Sequence, residues 1–410
     1  MPSNVSRLAV DERVVPARGV RRARVGVVCD LLEERWPSMN LVADMLLEHL
    51  ESSCVNSVDV TRIRPVLRRR FSNNEQYDGK GFTVDRLVAR MWDYPRHLRA
   101  HVAGKHDVFH VIDHSYSHLV HALPPARTVV TCHDLDTFRC VLSPEVEQRP
   151  AAFRAMTRRI LSGFRLAARV VCDSEATRAE IEAHGLIPSR RLCVVPLGVS
   201  PAFTAKPDPV HDATAAALVG EPRSPSPILL HVGSTIPRKR IEDLLHVFAR
   251  VRAVRQDARL LRVGGPFTIS QARLADALGV SASIVTLPPI SSDVLSAVYR
   301  LASVVLQPSS AEGFGLPVVE AMACGTPVVA SDIPALREIG GPCCDYATVG
   351  DTATWELLVH RLLNERERDS VASRSRKAAV AKHAARFTWT EYARKMVDVY
   401  EDVSKSQAPV

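Results

Sequence analysis

Two glutamates, separated by eight positions, bracket a glycine-containing turn that is suited to bind a phosphorylated ligand. A β-branched run ends at Gln307, the loop from Glu312 to Gly315 follows, and a helix is predicted from Leu316 onward. Glycine lets the backbone approach a phosphate closely, and the free amide groups at the start of a helix attract anions. We therefore expect a diphosphate at Gly315 and Leu316, with Glu312 and Glu320 accepting hydrogen bonds from sugar hydroxyls.

A second glycine turn precedes a pair of basic residues. The stretch that begins at His231 reads as a strand, turns at Gly233 and continues as an amphipathic helix. Arg238 and Lys239 lie in the loop that opens this helix. A guanidinium and an ammonium at this place would neutralise two phosphates and the charge that develops on a leaving group.

The stretch from Gln307 to Glu338 resembles the EX7E signature of the retaining nucleotide-sugar glycosyltransferases of family 4, and its AMACGTPVVASD run resembles the same family. The resemblance implies an α/β protein of the GT-B fold, in which two Rossmann-like, doubly wound parallel-sheet domains face a central cleft. It implies that Glu312 binds the donor sugar and that Glu320 binds the ribose. The residues that would hold the sugar and the diphosphate are Gly313, Phe314, Gly315 and Leu316.

The resemblance assigns the phosphate-neutralising role to Lys239. Many relatives have an arginine directly after the glycine of the second turn, whereas this chain has Ser234, so Arg238 must supply the second positive charge. The loop from Pro288 to Asp293, with Ile290, lies where relatives hold the nucleotide base. Its residues do not distinguish uracil from guanine.

His133 follows a predicted strand in the first half of the chain and resembles the family's cleft histidine, which would contact the donor sugar. A buried hydrogen bond is the alternative interpretation of this side chain. The family's usual glycine-rich turn after the first strand is replaced here by the segment from Asp30 to Ser38. This departure, at Glu33 to Ser38 in particular, leaves the acceptor open between a glycan, a lipid-linked sugar and a small molecule.

Short β-branched runs alternate with longer helical stretches, which predicts parallel sheets flanked by helices. The predicted parts of the chain are a flexible leader at 1–22, an N-terminal acceptor domain at 23–201, a linker at 202–227, a C-terminal donor domain at 228–386, and a helix at 387–410 that crosses back onto the first domain. The linker is placed on the six prolines between Ser200 and Pro227 and on the lack of a sustained apolar period there.

Composition indicates a folded globular protein of two domains, with 46% hydrophobic and 24% charged residues in 410. No apolar run reaches the roughly 20 residues of a membrane-spanning helix, and the leader has no secretory core, so we expect a cytoplasmic protein. Nine scattered cysteines suggest reduced thiols. The formal charge of +8 comes without a nucleic-acid-binding motif, and it suits an anionic substrate, the acidic inner face of the cell membrane, or a solvated basic surface.

The sequence thus favours a hexosyltransferase that moves a sugar from a UDP-, GDP- or ADP-sugar to an acceptor hydroxyl, in glycan, glycolipid or polysaccharide synthesis. No cofactor and no metal are expected, because the DxD pair Asp134 and Asp136 follows His133 in the domain opposite the donor motifs. The alternative is a non-catalytic nucleotide-sugar-binding or regulatory subunit. An epimerase or phosphorylase of the same plan is less favoured, since the EX7E stretch favours transfer. A dinucleotide-dependent oxidoreductase is less favoured because no GxGxxG follows a strand.

Overall fold

The computed structural model describes residues 22–73, 77–102, 104–220, 226–368 and 370–405. The chain forms two six-stranded sheets in which every neighbouring pair of strands is parallel. The predicted architecture of two doubly wound domains is confirmed. Most of the predicted leader, residues 1–21, lies outside the described residues.

The strands are β1 Ala23–Val28, β2 Val58–Ile63, β3 Val108–Val111, β4 Thr128–Cys132, β5 Arg169–Cys172, β6 Leu192–Val194, β7 Ile228–Val232, β8 Arg259–Val263, β9 Ile284–Leu287, β10 Val304–Gln307, β11 Val328–Ser331 and β12 Asp345–Ala347. The α-helices are α1 Pro37–Ser53, α2 Gly79–Val88, α3 Tyr94–His97, α4 Arg139–Leu142, α5 Ala151–Leu166, α6 Glu175–Ala183, α7 Pro209–Val219, α8 Ile241–Val254, α9 Ile269–Ala277, α10 Ser292–Leu301, α11 Leu316–Ala323, α12 Pro334–Gly340, α13 Thr352–Arg368, α14 Ser370–Ala384 and α15 Trp389–Lys405.

The order of the strands fixes where each domain can bind a ligand. The first sheet runs β2-β1-β3-β4-β5-β6 and the second runs β12-β11-β10-β7-β8-β9. The winding direction reverses between β1 and β3 in the first sheet and between β7 and β10 in the second. Ligands of such sheets bind in the crevice at the carboxyl ends of the strands on either side of the reversal. The loops after β7 and β10 carry Gly233 and Glu312 to that crevice.

Most of the central strands are continuous apolar runs because both faces of each sheet are covered by helices. In β7, Leu230 faces one core of the second domain and Leu229 faces the other. Some helix starts are capped by side chains. The Ser174 hydroxyl accepts a hydrogen bond from the Thr177 amide at 3.1 Å to begin α6, and Thr268 with Gln271 forms a capping box at α9.

The predicted linker at 202–227 is wrong over much of its length, because α7 occupies Pro209–Val219. Asp208 caps this helix with its carboxylate, and Pro209 occupies the first turn, where a missing amide proton costs nothing. Ala215 and Val219 are buried in a core of the second domain. Proline content therefore misidentified a capped helix as a connection. Residues 221–225 lie outside the described part.

The chain passes between the domains at two adjacent places. Val199 and Thr388 form an isolated parallel bridge, and a side chain on Gly198 would overlap the backbone of Trp389. Beyond this point α15 packs into the core of the first domain, and Tyr400 there shares a 2.8 Å hydrogen bond with His110 of β3. The described part of the predicted C-terminal segment thus lies against the first domain.

Candidate active site

The loop after β7 places two cations at the carboxyl edge of the second sheet. Pro237–Lys239 forms a 3-10 turn, and Arg240, with φ of 51°, turns the chain into α8. A left-handed conformation is uncommon for a residue with a side chain, and such strain collects at functional turns. The turn leaves Lys239 9% exposed and brings the Arg238 side chain beside it.

Glu312 is the anion that these two cations share. The Lys239 ammonium donates to Oε1 of Glu312 at 2.5 Å, and Arg238 Nη1 donates to Oε2 at 3.0 Å. Gln307, the last residue of β10, donates to Oε1 at 2.7 Å. Burial raises the pKa of Glu312, but the charges of Lys239 and Arg238 outweigh it and lower that pKa to about 2. Glu312 is therefore a carboxylate that accepts hydrogen bonds at physiological pH.

The start of α11 presents backbone amides next to this ion pair. Gly315 stands immediately before the helix with φ of +101°, and a side chain there would also come within 2.6 Å of Leu336. Both constraints explain why the position is glycine. Phe314 packs edge-on against Phe387 at a ring distance of 5.7 Å and is 4% exposed. The buried Phe314 ring thus anchors the loop, and its side chain is not available to a ligand.

Glu320 lies one turn further along α11 in a different environment. It is buried, and its carboxylate accepts a 2.8 Å hydrogen bond from the Tyr299 hydroxyl. Burial raises the pKa of Glu320 to about 7, although the Tyr299 hydrogen bond acts in the opposite direction. The two glutamates of the EX7E stretch thus have opposite shifts of pKa. Ile290, predicted to contact the base, lies partly buried beside the same core as Tyr299.

Several buried polar groups at the ends of the second domain's strands have no hydrogen-bond partner for some of their atoms among the described residues. They are both ring nitrogens of His231, Nε and Nη1 of Arg262, Oε1 of Gln307 and Oγ of Ser331. Leaving such atoms unpaired costs about 1–3 kcal/mol each. Arg262 is fully buried, and burial lowers its pKa to about 10. Buried polar atoms with spare hydrogen-bonding capacity at this edge suit the binding of a polar ligand.

The two domains meet directly at this site. The Ser174 hydroxyl donates to the Gly313 carbonyl at 2.6 Å, and Arg238 Nη2 donates to Asp134 at 3.4 Å. Asp136 lies 3.7 Å from the same guanidinium. The Glu338 carboxylate accepts from the amides of Glu175 and Ala176 at the start of α6. Arg238 therefore joins carboxylates of both domains.

His133 has both ring nitrogens engaged within the first domain. Nδ1 lies 2.6 Å from the Asp173 carboxylate, and Nε2 lies 2.9 Å from the carbonyl oxygen of Ile112. Both partners are acceptors, so the ring carries two protons and a positive charge. Burial lowers the pKa of His133, but Asp173 outweighs burial and raises it to about 10. The geometry matches the buried hydrogen bond that the sequence left open, and contact with the donor sugar stays a prediction.

Asp173→Asn is expected to lower the free energy of unfolding at pH 7 by about 3 kcal/mol, because it removes one partner of a buried ion pair. The pKa of His133 is raised on folding from 6.5 to about 10. The stabilisation is therefore complete below pH 6.5 and is lost as pH rises through 10. Urea unfolding at several pH values measures it, with the exposed Asp398→Asn as control. An Asp173→Asn variant as stable as the control would contradict the charged pair.

A second polar cluster lies at the reversal point of the first sheet, at the ends of β1 and β3. Asp30 and Asp113 are both buried, and neither carboxylate oxygen of Asp30 has a hydrogen-bond partner among the described residues. Burial and the neighbouring Asp113 raise the pKa of Asp30. Arg90 lies 3.3 Å from the buried Glu34 in the same cluster. Asp30 and Glu34 of this cluster belong to the segment from Asp30 to Ser38 that departs from the family turn.

Sequence reasoning did not assign site roles to Asp30, Asp113, Asp134, Asp136 or Arg262. The feature that could have identified them is their place in the sequence, because each stands at or just after the carboxyl end of a strand. Asp134 and Asp136 were considered only as metal ligands. Among the described residues, no group of three or more His, Cys, Asp or Glu side chains is arranged to hold a metal ion. Metal independence stays a prediction.

Comparison with known proteins matches two family models to the two domains. The model "Glycosyltransferase Family 4" matches residues 42–203, and the model "Glycosyl transferases group 1" matches residues 219–369. The chain belongs to glycosyltransferase family 4. As a family member it is 33% identical over 237 residues to MMP alpha-(1->4)-mannosyltransferase of Mycolicibacterium hassiacum, a match that covers 56% of this chain and 52% of the relative.

This family-4 chain is also 36% identical over 234 residues to D-inositol 3-phosphate glycosyltransferase of Mycolicibacterium smegmatis, covering 53% of this chain and 50% of the relative. It thus spans about half the length of these curated relatives. Among solved structures, sucrose-phosphate synthase of Thermosynechococcus elongatus has a TM-score of 0.72 at 19% identity, covering 94% of this chain and all of the other. HepE of Anabaena in complex with UDP-glucose has a TM-score of 0.66 at 14% identity, covering 93% of this chain and all of HepE. These structures establish the fold.

Proposed function

We propose that this protein is a retaining glycosyltransferase that moves a hexosyl unit from a nucleotide diphosphate sugar to an acceptor hydroxyl. The observation that carries the proposal is the grouping of Lys239, Arg238, the ionised Glu312 and the start of α11 at the reversal point of the second sheet. Cations and free amides there suit a diphosphate, and a carboxylate suits sugar hydroxyls. The relatives are named glycosyltransferases, and HepE was solved with UDP-glucose.

In the proposed reaction, the bond between the anomeric carbon and the diphosphate oxygen breaks, and its electron pair stays with the diphosphate. The acceptor oxygen forms the new bond on the same face of the sugar, and its proton passes to a departing phosphate oxygen. Lys239, Arg238 and the amides at Gly315 and Leu316 stabilise the charge of the leaving group. The steps use side chains and backbone of the described residues and invoke no metal ion.

The acceptor would occupy the first domain opposite the donor. Asp30, Asp113, Glu34 and Arg90 lie at the reversal point of that sheet and offer acceptors and a cation for a hydroxylated ligand.

A cytoplasmic location at the inner face of the membrane is the second part of the proposal, supported by the charge of +8. No helix in the described part of the chain has the length and apolar character needed to span a bilayer.

Thermal-shift screening of the purified protein against UDP-, GDP- and ADP-sugars tests the donor, because a ligand that binds the native state raises its melting temperature. We expect one base to give a selective shift and the same donor to be hydrolysed slowly. No shift with any of the three would overturn the proposal. A shift with neither hydrolysis nor transfer to any acceptor would favour the non-catalytic sugar-nucleotide-binding protein.

Donor affinity is expected to fall as pH decreases below 7, because Glu320 must be ionised to accept hydrogen bonds from both ribose hydroxyls. Its pKa of about 7 means that each further pH unit below it weakens binding up to tenfold. The same raised pKa means that folding stability declines as pH rises from 4.5 to about 7. Calorimetric titration of the donor between pH 5.5 and 8 measures the affinity. The Glu320→Gln variant should show weaker binding with a flat pH profile, and a wild-type profile in that variant would contradict the assignment.

A further inference from the structure

One surface helical segment of the first domain, residues 79–102, has apolar side chains on two sides. It consists of α2, a π-helical turn at Ala89–Asp93, α3 and a second π-helical turn at Leu98–Val102. Its inner side places Phe82, Tyr94 and Leu98 in the core of the domain. A helix that only covers a core carries polar residues on its outer side, so a second apolar side needs another explanation.

The outer side forms a continuous apolar strip, which we call the outer strip. Val84, Leu87 and Trp92 are 42%, 47% and 59% exposed. Val88, Met91 and Pro95 lie half-buried between and beside them, at the three- and four-residue spacing of one helix face. Single exposed apolar residues are ordinary, but a contiguous strip of them marks an interaction site.

The outer strip ends at a basic depression of about 260 Å³. Its lining residues are Met91, Trp92, Pro95, Arg96, Arg99, His118, His121 and Arg159. The Arg96 guanidinium stacks 3.4 Å above the Trp92 ring, which holds the cation at the boundary between the strip and the depression.

The positive charge of this depression is not neutralised by the described residues. No described carboxylate forms an ion pair with Arg96, Arg99 or Arg159, and the nearby Asp93 is already paired with Arg70 at 2.7 Å. Burial lowers the pKa of His121, and Arg159 and Arg99 lower it further. The basic depression, whose positive charge has no carboxylate partner among the described residues, lies at the end of the apolar outer strip. Together they are complementary to a surface that is negatively charged outside and apolar beneath.

We propose that the outer strip and the basic depression form a docking site for an anionic phospholipid bilayer, with Trp92 and Leu87 inserted among the lipids and a headgroup phosphate in the depression. Tryptophan and arginine suit the boundary between headgroups and acyl chains, and basic residues add attraction to acidic lipids. The inference rests on the proposed function only for its biological purpose, which is to bring the first domain to a membrane-borne acceptor.

Co-sedimentation with vesicles tests the proposal without donor or acceptor. The protein should sediment with vesicles of phosphatidylglycerol and phosphatidylcholine at low salt and remain in solution with phosphatidylcholine alone. Arg96→Glu with Arg99→Glu should reduce partitioning at least tenfold, and Leu87→Ser with Trp92→Ser should reduce it similarly. The matched controls are Arg273→Glu and Ile269→Ser, which change an exposed arginine and an exposed apolar residue of the second domain.

Fluorescence locates the contact. Trp36 and Trp92 are 52% and 59% exposed, whereas Trp355 and Trp389 are buried. In a Trp36→Phe background, brominated lipids should therefore quench Trp92. Absence of sedimentation, unchanged partitioning of the double variants, or saturable binding of inorganic phosphate in place of vesicles would each overturn the proposal. Donor thermal shifts of the same variants in solution should match the wild type, so failure of membrane docking remains distinct from failure of the donor site.

Discussion

Replacing Lys239 with methionine is expected to reduce kcat for donor hydrolysis and transfer by about 10²–10³-fold, the usual effect of removing one charge that stabilises a developing anion. The Lys239 ammonium lies 2.5 Å from Glu312 in the free protein and is the cation nearest to that carboxylate. Methionine keeps the buried stem of the side chain, and Arg238 still pairs with Glu312, so the fold should persist. The loss should appear in kcat more than in KM, because the charge that Lys239 neutralises is greatest in the transition state.

Glu312→Ala should also abolish transfer, through loss of the group that accepts hydrogen bonds from the sugar. Lys382→Met, which removes an exposed lysine of the same domain, is the control for loss of one charge. Steady-state hydrolysis of the donor identified by thermal shift, followed by circular dichroism of each variant, separates chemistry from unfolding. Wild-type turnover in Lys239→Met or Glu312→Ala would remove these residues from the site.

Gly313→Ala is expected to abolish transfer by a different route, because it prevents the two domains from meeting. A side chain at this position would overlap the carbonyl oxygen of His133 in the opposite domain. The carbonyl oxygen and carbonyl carbon of His133 that the new side chain would meet belong to the backbone. They cannot turn aside as a flexible side chain could, so relief requires the domains to separate. Separation would also break the 2.6 Å hydrogen bond from Ser174 to the Gly313 carbonyl. We expect transfer to fall at least 100-fold while each domain stays folded.

Donor binding distinguishes this outcome from general damage. Apart from His133, the predicted donor residues belong to the second domain, and only the Gly313 position among them is changed, so Gly313→Ala should retain part of the donor thermal shift while losing transfer. Gly350→Ala is the control for a strained glycine substitution without a clash, since alanine is strained at its φ of +83° but a side chain there meets nothing within 4 Å. Small-angle scattering should show a more extended particle for Gly313→Ala than for the control. A compact Gly313→Ala variant with normal transfer would show that the domain contact is dispensable.

The sequence predicted the two-sheet fold because buried parallel strands and amphipathic helices each leave a local signature. The glycine turns, Lys239 and the EX7E glutamates were predicted for the same reason, since each belongs to a short motif. Two strands at the edges of the sheets, β2 and β12, were not predicted. β2 buries only its end residues Val58 and Ile63, and β12 has only three residues, so neither forms the apolar run that marked the central strands.

Contacts between distant segments were beyond prediction. Arg238 meets Asp134 and Asp136 across the cleft, about 100 positions away in sequence, and the overlap of Gly313 with His133 depends on how the domains are placed. The state of His133 illustrates the limit. Its type and position indicated a cleft histidine, but only the structure shows two acceptors around its ring.

The path of the chain also imposes an order on synthesis. α15 supplies Trp389, Tyr392 and Tyr400 to the core of the first domain, against strands that are translated some 200–370 residues earlier. During translation, the apolar groove of the first domain that α15 fills therefore stays uncovered until residues 389–405 emerge from the ribosome. The second domain can fold during that interval, so the domain made first is completed last. Premature termination anywhere in the second domain would release a chain whose unfinished first domain exposes the surface that chaperones bind.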